Sequence, residues 1–319
     1  MELIIKPTSK CNFNCTFCSA YGMDIKHPKH GIEVHPKIKD LILNLKPSSL
    51  IITGGEPLTV LPDYYYNLHE ILPVNISITS NLKDFYFNPK KWVELFNEKW
   101  FGVATSFNYG NGRMWNWNTV YTEDMFIKVI DLYKKYINKS ISFISVINDE
   151  NENDAIKHVY LAKQINSIVK LNNAIGVGKS NMTFPKYKMF KIYHEIIDNG
   201  LEFYESNCSE RKTSRCPRCI NNRCENGIRC CYVDNNDELH VGICDGQISL
   251  PNELSIDEIY SNNISKYNMD YINDECKFCE LCRLCNNCHN NRYAAKNDPL
   301  YCIEMKKIKN DIINHGWIL

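Results

Sequence analysis

Sixteen cysteines, placed very unevenly, constrain this chain more than any other feature. Three stand together at Cys11, Cys15 and Cys18, none falls between Ser19 and Asn207, and the rest crowd into Cys208–Cys302. Disulfide scaffolds of comparable cysteine density are small and secreted. This chain has 319 residues, and its start, MELIIKPTSKC, lacks the apolar run of a signal peptide. Short-spaced cysteine clusters in such a chain point to metal thiolates in a reducing compartment, so a cytoplasmic protein is expected. No stretch approaches the ~20 apolar residues of a membrane helix, so no membrane partner is expected. Lys plus Arg and Asp plus Glu each number 37, for a net charge of zero. That balance argues against a broad footprint for nucleic acid.

The cysteine-free stretch alternates between two periodicities. Short apolar or β-branched runs predict strands at Glu2–Lys6, Leu50–Thr53, Asn75–Thr79, Phe101–Ser106, Ser140–Ile147 and Ile168–Ile175. Amphipathic patterns between them predict helices at Pro36–Leu45, Tyr64–Leu72, Pro89–Phe96, Thr122–Tyr136 and Asn153–Gln164. Such alternation builds a parallel sheet with right-handed crossovers, and six units suit a partial (β/α)6 barrel better than a closed eight-fold one. A further helix is expected at Tyr187–Asn199 and a last one at Pro299–Asn314. From Cys208 onward cysteine, Asn and Arg dominate, so two domains are expected, 1–205 and 206–319, the second small, irregular and folded around metal.

Two motifs carry chemistry. Cys11-Asn-Phe-Asn-Cys15-Thr-Phe-Cys18 follows the first expected strand directly. Three thiolates on one loop hold three irons of a [4Fe–4S] cluster and leave the fourth open, whereas a structural zinc takes four protein ligands. Gly54-Gly55-Glu56-Pro57 follows the second strand. Its glycines let backbone approach a ligand closely, and its carboxylate, fixed by proline, accepts hydrogen bonds from an ammonium group.

Together these residues resemble the radical S-adenosylmethionine (SAM) superfamily, with Phe17 as the aromatic of its CxxxCxΦC form. The resemblance implies a cluster bound by Cys11, Cys15 and Cys18, whose open iron is chelated by SAM. It further implies reductive cleavage of SAM to a 5′-deoxyadenosyl radical that abstracts a hydrogen atom from substrate. Gly54, Gly55, Glu56 and Pro57 are then expected at the SAM methionyl group and Phe17 near the adenine. Ser80, Asn81 and Ser106, ending the third and fourth strands, are expected at the ribose or carboxylate, with simple strand-end capping as the other reading. Arg113 resembles an arginine that many relatives carry, its other reading being a surface ion pair. A reductant such as flavodoxin or ferredoxin is implied as a partner.

The C-terminal cysteines, taken alone, suit zinc ribbons as well as clusters. Beside the N-terminal motif they resemble a SPASM domain, which binds two auxiliary [4Fe–4S] clusters. By that resemblance Cys276, Cys279, Cys285 and Cys302 hold one cluster, and Cys224, Cys230, Cys244 and Cys288 the other, with Cys231 able to replace Cys230. Cys208, Cys216, Cys219, Cys231 and Cys282 are left over, and Cys208, Cys216 and Cys219 suit either a separate zinc site or a rearranged cluster site. The spacing Cys285-x2-Cys288 and the extra Cys282 depart from the SPASM pattern. Relatives of this architecture mostly modify peptides by cross-linking, oxidation or epimerisation, so a peptide substrate is the leading expectation. A small-molecule dehydrogenase and a nucleotide- or nucleic-acid-modifying enzyme are the alternatives. His240, Tyr232 and Asp245 flank expected ligands and are candidates to accept a proton, although packing or exposure explains each as well.

Overall fold

The computed structural model describes residues 2–174, 184–209, 228–242, 255–261 and 300–317. Its N-terminal part follows the expected alternation. β1 (Glu2–Ile5), β2 (Ser49–Ile52), β3 (Asn75–Ser80), β4 (Phe101–Ser106), β5 (Phe143–Ile147) and β6 (Val169–Asn173) form consecutive parallel pairs. Between them run α1 (Pro36–Leu45), α2 (Pro62–Ile71), α3 (Lys83–Phe87), α4 (Pro89–Asn97), α5 (Glu123–Ile137) and α6 (Ala155–Gln164). Local chemistry sets these boundaries. Proline opens α1, α2 and α4, where its missing N–H costs nothing. Thr122 caps α5 by accepting from the Met125 N–H, and Asn138 ends it in the left-handed region.

Sequential parallel strands with right-handed crossovers keep their helices on one face. Leu3, Ile5, Leu50, Ile52, Ile76, Ile78, Phe143, Val169 and Leu171 are buried in one apolar core that also takes in Leu41, Leu68, Leu95, Phe126 and Val159 from the helices. Alternate residues point the other way, and there Ile51, Thr79, Ala104, Ser106, Ile144 and Val146 are only half-buried. This second face is the open one.

Two strands absent from the sequence reading extend the sheet. β7 (Cys230–Val233) pairs parallel with β1, and β8 (Leu239–Gly242) pairs antiparallel with β7, giving the order β6-β5-β4-β3-β2-β1-β7-β8. The barrel is therefore not closed by strand pairing among the described residues: β6 and β8 end the order. The hairpin lies beyond residue 205 in sequence, yet it is bonded to β1 by Ile4 N–H to Arg229 O (2.7 Å) and Lys6 N–H to Cys231 O (3.0 Å). α7 (Lys186–Asp198) stands where a helix over Tyr187–Asn199 is expected, and α8 (Ser206–Ser209) and α9 (Ile256–Ser261) come later in the chain. The expected last helix is two, α10 (Tyr301–Lys307) and α11 (Lys309–Asn314), separated at Ile308. Trp317 then packs edge-on against Phe190 of α7, with ring centroids 5.3 Å apart.

Candidate active site

β1 delivers the chain to the loop that carries Cys11, Cys15 and Cys18, at the carboxyl end of the sheet, where ligands of parallel α/β folds bind. Two neighbouring loops hold that segment in place. On one side the Gly55 N–H donates to Thr8 O (2.8 Å) and the Glu56 N–H to Lys10 O (2.7 Å). On the other, the Asn14 N–H donates to Met114 O (3.1 Å) and the Thr16 N–H to Gly112 O (2.8 Å). The glycine pair thus serves a backbone approach, but the backbone is the chain's own. A Cβ on Gly54, whose φ is +116°, would stand 2.6 Å from Thr8 O, and one on Gly55 would stand 2.2 Å from Lys10 O.

Glu56 is buried and ties the ends of β2 and β3 together. Its Oε1 accepts from the Leu58 N–H (2.9 Å) and the Ser80 hydroxyl (2.6 Å), and its Oε2 from the Asn81 N–H (2.8 Å). Burial pushes its carboxyl up to about 6, against the pull of those three donors and of Arg113. Asn81 reaches back to the cysteine loop, donating from Nδ2 to Asn12 Oδ1 (2.8 Å) and towards Cys11 Sγ (3.9 Å). Glu56, Ser80 and Asn81 therefore form one hydrogen-bonded unit beneath the first cysteine. Pro57 opens the short 3-10 turn that carries the Leu58 donor. Ser106 stands half-buried at the end of β4, apart from this unit.

Arg113 is buried rather than on the surface. Its Nε–H donates to Asn108 Oδ1 (3.2 Å), and its guanidinium lies over the Phe17 ring, 5.6 Å from the centroid. Lys83, which nothing in the sequence singles out, donates to Asn12 O (3.1 Å) and to Trp115 O. Its ammonium lies 5.7 Å from the Phe13 ring centroid and 4.8 Å from that of Trp115. His158 is equally unmarked: its Nε2 accepts from the Tyr109 N–H (3.1 Å) and fixes the loop after β4.

The three thiols suit a polynuclear cluster. Cys11 reaches the surface, yet the protein packed round its sulfur, then Glu56, push its thiol up to about 12; burial also raises Cys18. Thiolates at this spot thus need positive charge beside them, as bound iron supplies. Backbone N–H groups already point at sulfur: Phe13 to Cys11 (3.4 Å), and Ala20 and Tyr21 to Cys18. Among the described residues the group of three ligand atoms gathered within 4.8 Å is Asp234, Glu238 and His240, not the loop cysteines. A single tetrahedral zinc draws its sulfurs to about 3.8 Å.

In the C-terminal region strand alternation separates the adjacent cysteines. Cys231 is in register with Ile5 and belongs to the helix-covered core, where burial holds its thiol well above the usual range. Cys230, in register with Ile4, takes the other face. Cys208 is buried on α8, its thiol beside Tyr193 O and its N–H donating to the Glu205 carboxylate. Cys302 is exposed on α10. Tyr232 and His240 stack with centroids 4.7 Å apart, and His240 Nε2 lies 2.8 Å from Asp234 Oδ2. Cys216, Cys219, Cys224, Cys244, Asp245, Cys276, Cys279, Cys282, Cys285 and Cys288 lie outside the described residues.

The cysteine loop on a singly wound parallel sheet, clamped by a Gly-Gly-Glu turn, defines a radical SAM domain. Residues 5–162 match the family model of the Radical SAM superfamily, which implies SAM and a [4Fe–4S] cluster. Among solved structures the chain is similar to a histidine-tagged anSMEcpe with bound AdoMet, at 18% identity and a TM-score of 0.66, covering 98% of each chain. It is also similar to "Native anSMEcpe with bound AdoMet and Cp18Cys peptide", at 18% identity and a TM-score of 0.61, again covering 98% of each chain. Identity this low makes the likeness one of fold. No curated protein matches the chain. Among the described residues no helix is long and apolar enough to cross a membrane.

Proposed function

We propose that this chain is a radical SAM enzyme that abstracts a hydrogen atom from a peptide or protein side chain, with auxiliary clusters in its C-terminal region carrying electrons. The observation that carries the reading is the cysteine loop itself, hydrogen-bonded to the Gly54–Glu56 turn and supplied with N–H donors at sulfur. Cys11, Cys15 and Cys18 would hold the cluster, and Gly54, Gly55, Glu56, Pro57, Ser80, Asn81, Ser106 and Phe17 would surround SAM. When bound, the pair supplies a 5′-deoxyadenosyl radical from reductive cleavage of SAM. The chain's own residues hold the loop, orient the ligand and exclude water. Glu56 acts in this scheme through Ser80 and Asn81, whose hydrogen bonds it fixes. Arg113 and Phe17 form one wall, the guanidinium over the ring.

A peptide substrate is favoured because anSMEcpe, a protein of similar fold, holds a peptide together with AdoMet. Cys230 is the better auxiliary ligand of the adjacent pair, because Cys231 is committed to the apolar core.

The test is iron, sulfide and zinc per chain after anaerobic reconstitution, for the wild type and the Cys11→Ala/Cys15→Ala/Cys18→Ala triple variant. About 12 irons falling to about 8, with SAM cleavage lost, supports one SAM cluster and two auxiliary clusters. About 8 falling to about 4, with one zinc, assigns part of the C-terminal cysteines to a structural zinc. Iron content unchanged in the triple variant overturns the reading.

A further inference from the structure

Lys6 is the least reconciled charged group in the described molecule. It follows the last residue of β1, five residues before Cys11, and is only 4% exposed, yet it enters no ion pair among the described residues. Among the described residues its ammonium donates to the thioether of Met23, with Nζ 3.7 Å from Sδ. A thioether is a weak acceptor, and an ammonium taken out of water without an anion is costly. Glu33, which lines one cavity with Lys6, lies 3.9 Å from the Lys29 ammonium, and two further carboxylates are committed elsewhere. Glu56 accepts from Leu58, Ser80 and Asn81, and Asp234 from His240 and the backbone N–H groups of Asn236 and Glu238.

The position of Lys6 gives this orphan a use. Ile4 and Lys6 alternate with Leu3 and Ile5, so Lys6 falls on the open face. Its Cβ lies 3.3 Å from where a Gly54 Cβ would be, which sets its stem against the Gly-Gly-Glu turn. One strand over, Tyr232 follows Cys231, the register partner of Ile5, and stacks on His240. A buried ammonium thus stands between the turn proposed to meet SAM and an aromatic pair on the same face.

We propose that Lys6 is an anion-binding residue that takes a carboxylate of a molecule bound at the mouth of the sheet. A lone ammonium is a point charge suited to a single carboxylate. The carboxylate has two sources, the methionyl group of SAM or the substrate. The proposal rests on the radical SAM reading for its location.

Acetate is the probe, used on anaerobically reconstituted protein against chloride at equal ionic strength. Acetate raises the melting temperature of the wild type by about 3 °C. Lys6→Arg keeps the rise and Lys6→Met abolishes it. Lys6→Met also melts higher than the wild type in chloride, because an apolar side chain replaces a buried charge that has no ion-pair partner among the described residues. With saturating SAM present, loss of the acetate effect assigns the carboxylate to SAM, and its persistence assigns it to the substrate. An equal response in wild type and Lys6→Met, or none in the wild type, overturns the proposal. Iron counted on the same wild-type sample separates this from failure of the radical SAM reading, which would show as protein without iron.

Discussion

His158 shows how one side chain outside the cysteine motif governs the site. It sits fully buried on α6, donates from Nδ1 to Asp154 O (3.0 Å) and accepts the Tyr109 N–H at Nε2. Both ring nitrogens are thus used by a neutral imidazole, and protonation would set a second N–H against that of Tyr109. Burial lowers its pKa to about 4, against hydrogen bonds to Asp154 and Ala155 that pull it up. Unfolded histidine takes up its proton near about 6.5, so acid favours the unfolded chain, and stability falls as pH drops from about 6.5 towards about 4. The expected loss is about 1 kcal/mol between about pH 7.5 and 5.5, and about 3 kcal/mol in full. His158→Gln, which keeps an acceptor for Tyr109, should flatten the slope by that amount in urea unfolding of reconstituted protein. An unchanged slope would show that His158 titrates normally. Nothing in the sequence marks this histidine, which reads as one polar member of an amphipathic helix; Lys6 and Lys83 are equally silent as lone lysines. Cys11, Cys15, Cys18 and Glu56 are legible because their chemistry depends on spacing along the chain, whereas the lysines depend on what the fold brings beside them.

At the scale of elements, the site is a junction between the turn after β2 and the segment after β1. Gly55 is the tightest point, since an added Cβ would meet Lys10 O at 2.2 Å and the Ser9 backbone at 2.6 Å. Neither neighbour is the end of a flexible side chain, so Gly55→Ala must displace the segment that leads into Cys11. The expected result is loss of about 4 irons, those of the first cluster, and destabilisation by more than about 2 kcal/mol. Gly102 on β4 is the control, because its nearest neighbour is Ser77 Cβ at an ordinary 3.5 Å. Iron retained in Gly55→Ala would mean that the turn and the loop are not coupled. From the sequence these glycines read as room for a ligand; their proximity to Thr8–Lys10 is a tertiary fact that no local pattern carries. The β7–β8 hairpin escapes notice for a different reason. Its strands, Cys-Cys-Tyr-Val and Leu-His-Val-Gly, are four residues each, and their cysteines speak for metal before they speak for a strand.

For the whole molecule, that hairpin changes what a domain boundary near residue 205 means. β1 is flanked by β2 on one side and β7 on the other, so the strand that feeds the cysteine loop is an interior strand of the sheet, eight-stranded among the described residues. Removing residues 206–319 would strip two backbone partners from β1, Arg229 O and Cys231 O, and expose its edge. It would also uncover apolar core, since Cys231, Val233 and Val241 are buried in the same cluster as Leu3 and Ile5. Near the cut, the carboxylate of Glu205 joins both sides, accepting from the Leu171 N–H (3.0 Å) and the Cys208 N–H (2.7 Å). An unpaired, flat, apolar strand edge is a template for aggregation. Residues 1–205 expressed alone are therefore expected to be insoluble or to lack a cooperative thermal transition, even though they hold the whole cysteine loop and the Gly-Gly-Glu turn. Size-exclusion chromatography and circular dichroism under anaerobic conditions decide the matter. A soluble monomer with sharp unfolding and about 4 irons per chain would show that the sheet is complete without its last two strands.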